Sequence, residues 1–253
     1  MSASQETKKV IGVIPARFGS QRLPGKPLLP IKGKPLIQHT WENARKAKNL
    51  SALIIATDDE RIKKAAEEFG ALVVMTPEEC PTGSDRIAWV SKHTPLFHDA
   101  EIIVNIQGDE PDINPAVIED CVDALIEHPD ASLATAVVKI HSREEAESLS
   151  VVKCVRDAHG YALYFSRALI PHSKNGCYCP DTDYFKHIGI YAYKKPFLDL
   201  YPYLPKTPLQ LSEDLEQLRV LETGHKIITI LTEHDSLGID TEQDLRRKVE
   251  RTT

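Results

Sequence analysis

The sequence predicts an α/β fold, with a mostly parallel sheet covered by helices on both faces. Three observations carry that reading. Short β-branched apolar runs recur through the first half of the chain. A polar segment with helical spacing follows most of them. The junctions carry helix caps, stops and turn residues. Strands alternating with helices in this way imply parallel pairing through crossovers.

VIGVIP (10–15) reads as a buried strand, and PLIQHTWENARKA (35–47) as a helix with Pro35 in its first turn. ALIIATD (52–58) is the next strand, DERIKKAAEEFG (59–70) a helix stopped by Gly70, and ALVVMT (71–76) a third strand. TGSDRIAWVSKH (82–93) opens on cap residues and reads as a helix. EIIVNIQGDEP (101–111) is a strand running into a polar loop, and INPAVIEDCVDALIEH (113–128) is a helix. The pattern then loosens. SLATAVVKI (132–140), VVKCVRD (151–157), GYALYFSR (160–167) and KHIGIYAYK (186–194) read as strands with fewer helices between them, including a hairpin around 157–160. Residues 170–183 are rich in Pro, Asn, Gly and Asp and read as a loop. PLQLSEDLEQLRVLETG (208–224) reads as one helix ending in Gly224. KIITILT (226–232) is a last strand, and DTEQDLRRKVER (240–251) a final helix with Thr241 and Asp244 as a capping pair. With no repeat or linker, residues 1–253 are expected to form one domain, with an antiparallel extension over about 150–205.

The chain has 253 residues, 42% hydrophobic and 27% charged, enough for a sizeable core. A net charge of −6 argues against a nucleic-acid partner, which needs an excess of cations facing phosphates. It leaves room for a small anion at the local cluster Arg17, Arg22 and Lys26. No apolar run is long enough to span a bilayer, and MSASQETKK lacks an apolar signal core, so a cytoplasmic protein is expected. Five irregularly spaced cysteines argue against a disulfide framework. Cys177 and Cys179, with His172 and His187 in the neighbourhood, raise zinc, but C-x-C without a second pair reads better as two free thiols in a loop.

Three loops carry candidate chemistry. PARFGSQRLPGKP (15–27) follows the first strand and is basic and glycine-containing. It is not a Walker A loop, because five residues separate Gly19 from Gly25 and Pro27 replaces the metal-holding hydroxyl. Ligands of open parallel sheets bind beyond the carboxyl ends of strands, where Arg17 and Lys26 could hold polyphosphate oxygens. NIQGDEP (105–111) ends the central strand, so Asp109 is placed either to hold Mg²⁺ beside phosphates or simply to make a turn. In LGIDTEQDL (237–245), Asp240 is either the helix cap or, with Thr241 as cap, a second metal ligand.

At these loops the chain resembles the 3-deoxy-manno-octulosonate (Kdo) cytidylyltransferases. The matching segments are IPARFGSQRLPGKPL, TGSDRIA, VNIQGDEP, GYALYFSRALIP, KHIGIYAY, LEQLRVLETGHKI and GIDTEQDL, in family order over nearly the whole chain. The first is shared with sialic-acid cytidylyltransferases and other sugar nucleotidyltransferases; QGDEP, GYALYFSR and HIGIY narrow the match to the Kdo branch. The resemblance implies a Rossmann-like, sugar-nucleotidyltransferase type of sheet and transfer of CMP from CTP to Kdo, for lipopolysaccharide synthesis. It implies that Ala16, Arg17, Gly19, Arg22 and Lys26 line the triphosphate, and that Arg17, Lys26 and Asp109 carry the chemistry. Asp109 and Asp240 would hold Mg²⁺. Thr82, Ser84 and Arg86 would lie near the base, and Gln107 near the ribose and sugar acid. Arg167, His187 and Tyr191 would contact Kdo. Gln210 stands where relatives carry Glu, which leaves Gln210, Glu213 and Gln217 as alternatives for a sugar contact. The family is commonly dimeric, so a homodimer is expected, with residues 160–193 as the contact. A cytidylyltransferase for another 2-keto sugar acid, a glycosyltransferase and a non-catalytic nucleotide sensor are the alternatives.

Overall fold

A computed structural model of the chain describes residues 8–19, 23–80, 82–236, 238–239 and 241–251. The elements run β1 (Val10–Ala16), β2 (Pro30–Ile31), β3 (Lys34–Pro35), α1 (Leu36–Ala44), β4 (Ala52–Thr57), α2 (Glu60–Glu68), β5 (Leu72–Met75), α3 (Gly83–His93), β6 (Ile102–Asn105) and α4 (Pro115–Glu127). They continue with β7 (Ala131–Lys139), α5 (Arg143–Glu147), β8 (Lys153–Arg156), β9 (Ala162–Ser166), β10 (Phe185–Lys194), α6 (Lys195–Leu200), α7 (Pro208–Glu213), α8 (Glu216–Glu222), β11 (Lys226–Thr232) and α9 (Glu242–Arg251). The chain divides into two compact units, Met1–Glu119 with Tyr193–Pro202 and Leu237–Thr253, and Asp120–Ala192 with Tyr203–Ser236. Among the described residues no helix is long and apolar enough to cross a membrane.

The first unit is built on parallel strands in the order β6-β1-β4-β5. Ile11, Val13 and Ile14 of β1 and all four residues of β6 are buried, which is why these strands read as unbroken apolar runs. The helices start where side chains satisfy free backbone donors. Asp59 accepts from the Arg61 N–H ahead of α2, and Thr82 from the Asp85 N–H ahead of α3. Gly70, at φ 83°, supplies the left-handed residue after α2. A hairpin that the sequence reading passed over joins β2 to β3. Lys32 (φ 49°) and Gly33 (φ 79°) both take the left-handed conformation that a two-residue antiparallel turn requires. Pro35 is the residue before α1 rather than part of its first turn. Ile31, Leu36 and Ile239 form a buried cluster with Leu23 and Leu245, tying the hairpin, α1 and α9 together.

In the second unit β11 and β7 pair in parallel, β7 neighbours β10, and β10-β8-β9 continue as antiparallel pairs. The expected hairpin is present. Asp157 accepts the His159 and Tyr161 N–H groups, and Gly160 sits at φ 88°. Two helices absent from the sequence reading are α5, capped by Ser142, and α6, opened by Pro196. The expected single helix over 208–224 is corrected to α7 and α8. Asp214 adopts φ 54° between them, and Leu215 turns inward, 6% exposed. The break is held from both sides. The Glu222 carboxylate accepts the Leu209 and Gln210 N–H groups at the start of α7. The Glu213 carboxylate is drawn to Ser166 and Arg167 at the end of β9.

Candidate functional site

In the first unit, β1 delivers the opening loop. Ala16 is buried at the strand end, and Arg17 and Gly19 follow it exposed. The loop closes on itself where the Gly25 N–H donates to the Phe18 carbonyl at 3.0 Å. Gly25 has φ 69°, and a Cβ there would lie 3.1 Å from the Phe18 ring. The Arg61 guanidinium sits 3.4 Å from the centre of that ring and is itself held by Asp59 at 2.6 Å. This brace leaves Lys26 at a defined place, with Nζ 2.6 Å from Asp109 Oδ2.

Asp109 is positioned as carefully. Its turn is held by α1, where the Thr40 hydroxyl donates to the Gly108 carbonyl (3.2 Å) and the Asn43 amide to that of Pro111 (2.7 Å). Gln107 lies half-buried in the same turn, its carbonyl accepting the Glu110 N–H. A Cβ on Gly108 would stand 2.9 Å from the Pro15 carbonyl oxygen, so only glycine lets the turn pass this close to the end of β1. The Ile239 N–H donates to the Asp109 carbonyl at 2.9 Å. Asp240 and Arg22 lie outside the described residues. Thr241 and Asp244 form the expected reciprocal cap, each side chain accepting the other's N–H.

The α3 residues have structural partners. Thr82 is the helix cap and Ser84 lies 3.2 Å from the Tyr193 hydroxyl. Arg86, 3% exposed, is paired with Asp58 at 2.5 Å and donates to Thr76. Its charge is therefore committed within the protein. Gly83 abuts the Pro15 ring, so the three motifs 15–27, 82–86 and 107–111 meet at the carboxyl end of β1.

Among the described residues no group of three or more His, Cys, Asp or Glu side chains is gathered to hold a metal, and the five cysteines are free. The Asp109 carboxylate fits a different arrangement. One oxygen meets Lys26 and the other makes no hydrogen bond to a described residue. A hard, part-exposed carboxylate suits Mg²⁺, which takes one or two such ligands and completes its shell with water and phosphate oxygens.

In the second unit, His187 and Tyr191 share one face of β10, as their spacing predicted, with ring centres 5.5 Å apart. His187 Nε2 lies 2.9 Å from Thr135 Oγ1, which also donates to the Ile190 carbonyl. That pattern makes Nε2–H the donor to Thr135. Burial pushes the His187 pKa down to about 3. The unfolded value is near 6.5, so stability from this group is complete above about pH 6.5 and falls as pH drops towards 3. Denaturant midpoints measured from pH 7 to 4 are expected to fall less steeply in His187→Gln than in the native protein. Identical pH slopes would contradict a ring held neutral in the fold.

The Tyr191 hydroxyl reaches Gln217 Oε1 at 3.3 Å, and Gln217 is 4% exposed with no partner for Nε2 among the described residues. Of the three helix candidates, Gln217 is therefore the one beside Tyr191. Among the described residues the buried Gln210 Oε1 has no partner. Glu213 spends both carboxylate oxygens on Ser166 and Arg167. Thr135, which sets the His187 tautomer, was invisible in sequence because only the placing of β7 beside β10 brings it there.

The first unit thus has the open parallel sheet, the basic loop after β1 and the carboxylate after β6 that define a nucleotide-handling α/β protein. Residues 11–227 match the family model described as Cytidylyltransferase. The 3-deoxy-manno-octulosonate cytidylyltransferase of Protochlamydia amoebophila (strain UWE25) is 49% identical over 98% of this chain and 95% of its own length. That of Zea mays is 47% identical over 94% of this chain and 79% of its own. The solved structure of a CMP:2-keto-3-deoxy-manno-octonic acid synthetase complexed with CTP superposes with TM-score 0.90, at 39% identity over 97% of this chain and 98% of that one. The 4-diphosphocytidyl-2C-methyl-D-erythritol synthase of Anaerococcus prevotii, at 13% identity and TM-score 0.65, shares the fold. The chain belongs to the 3-deoxy-manno-octulosonate cytidylyltransferase family.

Proposed function

We propose that this protein transfers the cytidylyl group of CTP to the anomeric hydroxyl of Kdo, with Mg²⁺ as cofactor, giving CMP-Kdo and pyrophosphate. The observation that carries the reading is the junction of Lys26 and Asp109 at 2.6 Å, formed by the two loops that follow neighbouring parallel strands. It puts a cation for phosphate oxygens beside a carboxylate for a metal. Displacement at phosphorus asks a protein for in-line placement and charge neutralisation more than for a covalent partner. Arg17 and Lys26 offset the charge that builds on the departing pyrophosphate. Asp109 and Asp240 would hold the metal, which when bound would supply positive charge against the triphosphate and lower the pKa of a hydroxyl. The Arg167 guanidinium offers a planar fork to the Kdo carboxylate, and His187, Tyr191 and Gln217 offer further polar contacts to the sugar. The cytoplasm, a homodimer and a place in lipopolysaccharide synthesis belong to this reading on the strength of the resemblance.

The test is product identity. Phosphorus NMR of CTP, Kdo and Mg²⁺ with the protein should show a sugar-linked CMP phosphodiester and pyrophosphate in equal amounts, and neither after chelation of the metal. Free CMP with pyrophosphate would mean hydrolysis and overturn the transfer reading.

A further inference from the structure

Lys153 is fully buried in β8, yet among the described residues no carboxylate meets its ammonium. Its Nζ instead donates to three backbone carbonyls, those of Ser148 (2.7 Å), Val151 (2.7 Å) and Arg167 (2.5 Å). An ammonium has three donors, so the cage satisfies it completely. Burying a cation this way is costly, and an apolar residue would serve a merely structural strand better. What the cage joins is informative. It ties the 148–151 turn to Arg167, and the Leu149 carbonyl of that turn receives Arg167 Nη1 at 3.4 Å.

Glu213 closes the same frame from α7. Its carboxylate oxygens accept the Ser166 hydroxyl (2.6 Å) and the Arg167 N–H (3.0 Å), and its own carbonyl accepts Arg167 Nε (3.2 Å). The left-handed Asp214 directly after it allows this reversal. Arg167 is therefore fixed at its N–H, its carbonyl, Nε and Nη1, while Nη2 has no partner among the described residues.

We propose that Lys153 and Glu213 are positioning residues, which lock the Arg167 guanidinium with Nη2 left open to receive the carboxylate of the acceptor sugar acid. This rests on the reading of Arg167 as the acceptor's partner. A side chain already ordered loses less freedom on binding, so the frame acts on acceptor affinity. It also removes Glu213 from the residues free to bind sugar hydroxyls.

Steady-state kinetics on Lys153→Met, Glu213→Gln and Arg167→Ala, alone and paired, test it. Each single variant should raise KM for Kdo about tenfold or more and leave KM for CTP within about twofold, with the largest change in Arg167→Ala. In Glu213→Gln/Arg167→Ala the Kdo KM should match that of Arg167→Ala alone, because residues acting through one another are non-additive. Additive losses, or an unchanged Kdo KM in folded Glu213→Gln, would overturn the proposal even if Lys153→Met fails to fold. An unchanged Kdo KM in Arg167→Ala would instead overturn the assignment of Arg167, and the proposal with it.

Discussion

Asp109→Ala is expected to lower kcat/KM by on the order of 10³-fold, the scale of losing a group that stabilises transition-state charge. The fold should survive. Asp109 is 27% exposed and Lys26 14%, so the variant removes a part-solvated ion pair rather than a deeply buried one. The cost should be about 1 kcal/mol, a shift of a few degrees in Tm for a chain of this size. The turn itself does not depend on the side chain, because Thr40, Asn43 and Ile239 hold it through backbone groups. The variant should also need far more Mg²⁺ for its residual rate. A near-native rate at ordinary Mg²⁺ would remove Asp109 from the metal site.

Lys26→Ala should be nearly as damaging to turnover, by about 10²-fold or more, but with a different signature. In the proposed site, Lys26 and Mg²⁺ are both cations for the same carboxylate. Removing the ammonium therefore leaves Asp109 at least as available to metal, while the triphosphate loses a partner. KM for CTP should rise steeply with the Mg²⁺ requirement unchanged or lower. Lys26→Arg should recover only part of the rate, since a planar fork does not replace a compact ammonium. A Lys26→Ala enzyme needing more Mg²⁺, with a normal KM for CTP, would mean that Lys26 supports the metal rather than the phosphates.

The strands of the parallel core were legible because burial on both sides leaves continuous β-branched runs, as in β1 and β6. Caps announced α3 and α9, since Thr82 and Thr241 do in the structure what their type suggests, and Gly70 marked the end of α2. The failures have a common cause. The apolar spacing of 208–224 is continuous, and nothing local reveals that Glu213 will be pulled to β9 and Asp214 turned left-handed. The Lys32-Gly33 turn was passed over because lysine is an unusual occupant of a left-handed position. The site divides in the same way. Lys26 and Asp109 could each be placed beyond the carboxyl end of a strand of one sheet from loop position, but not their direct contact. The frame around Arg167 could not, because most of its bonds are to backbone carbonyls, which carry no sequence signal.

The most direct measurement of the central claim is pyrophosphate release in Mg²⁺, with CTP, UTP, ATP and GTP each crossed against Kdo, a sialic acid and no sugar. Release confined to CTP with Kdo is the predicted result. Release with CTP and the sialic acid instead would keep the phosphate chemistry of Lys26 and Asp109 and contradict the acceptor assigned to Arg167, His187 and Tyr191. No release from any pair, with CTP bound to folded protein, would contradict catalysis itself.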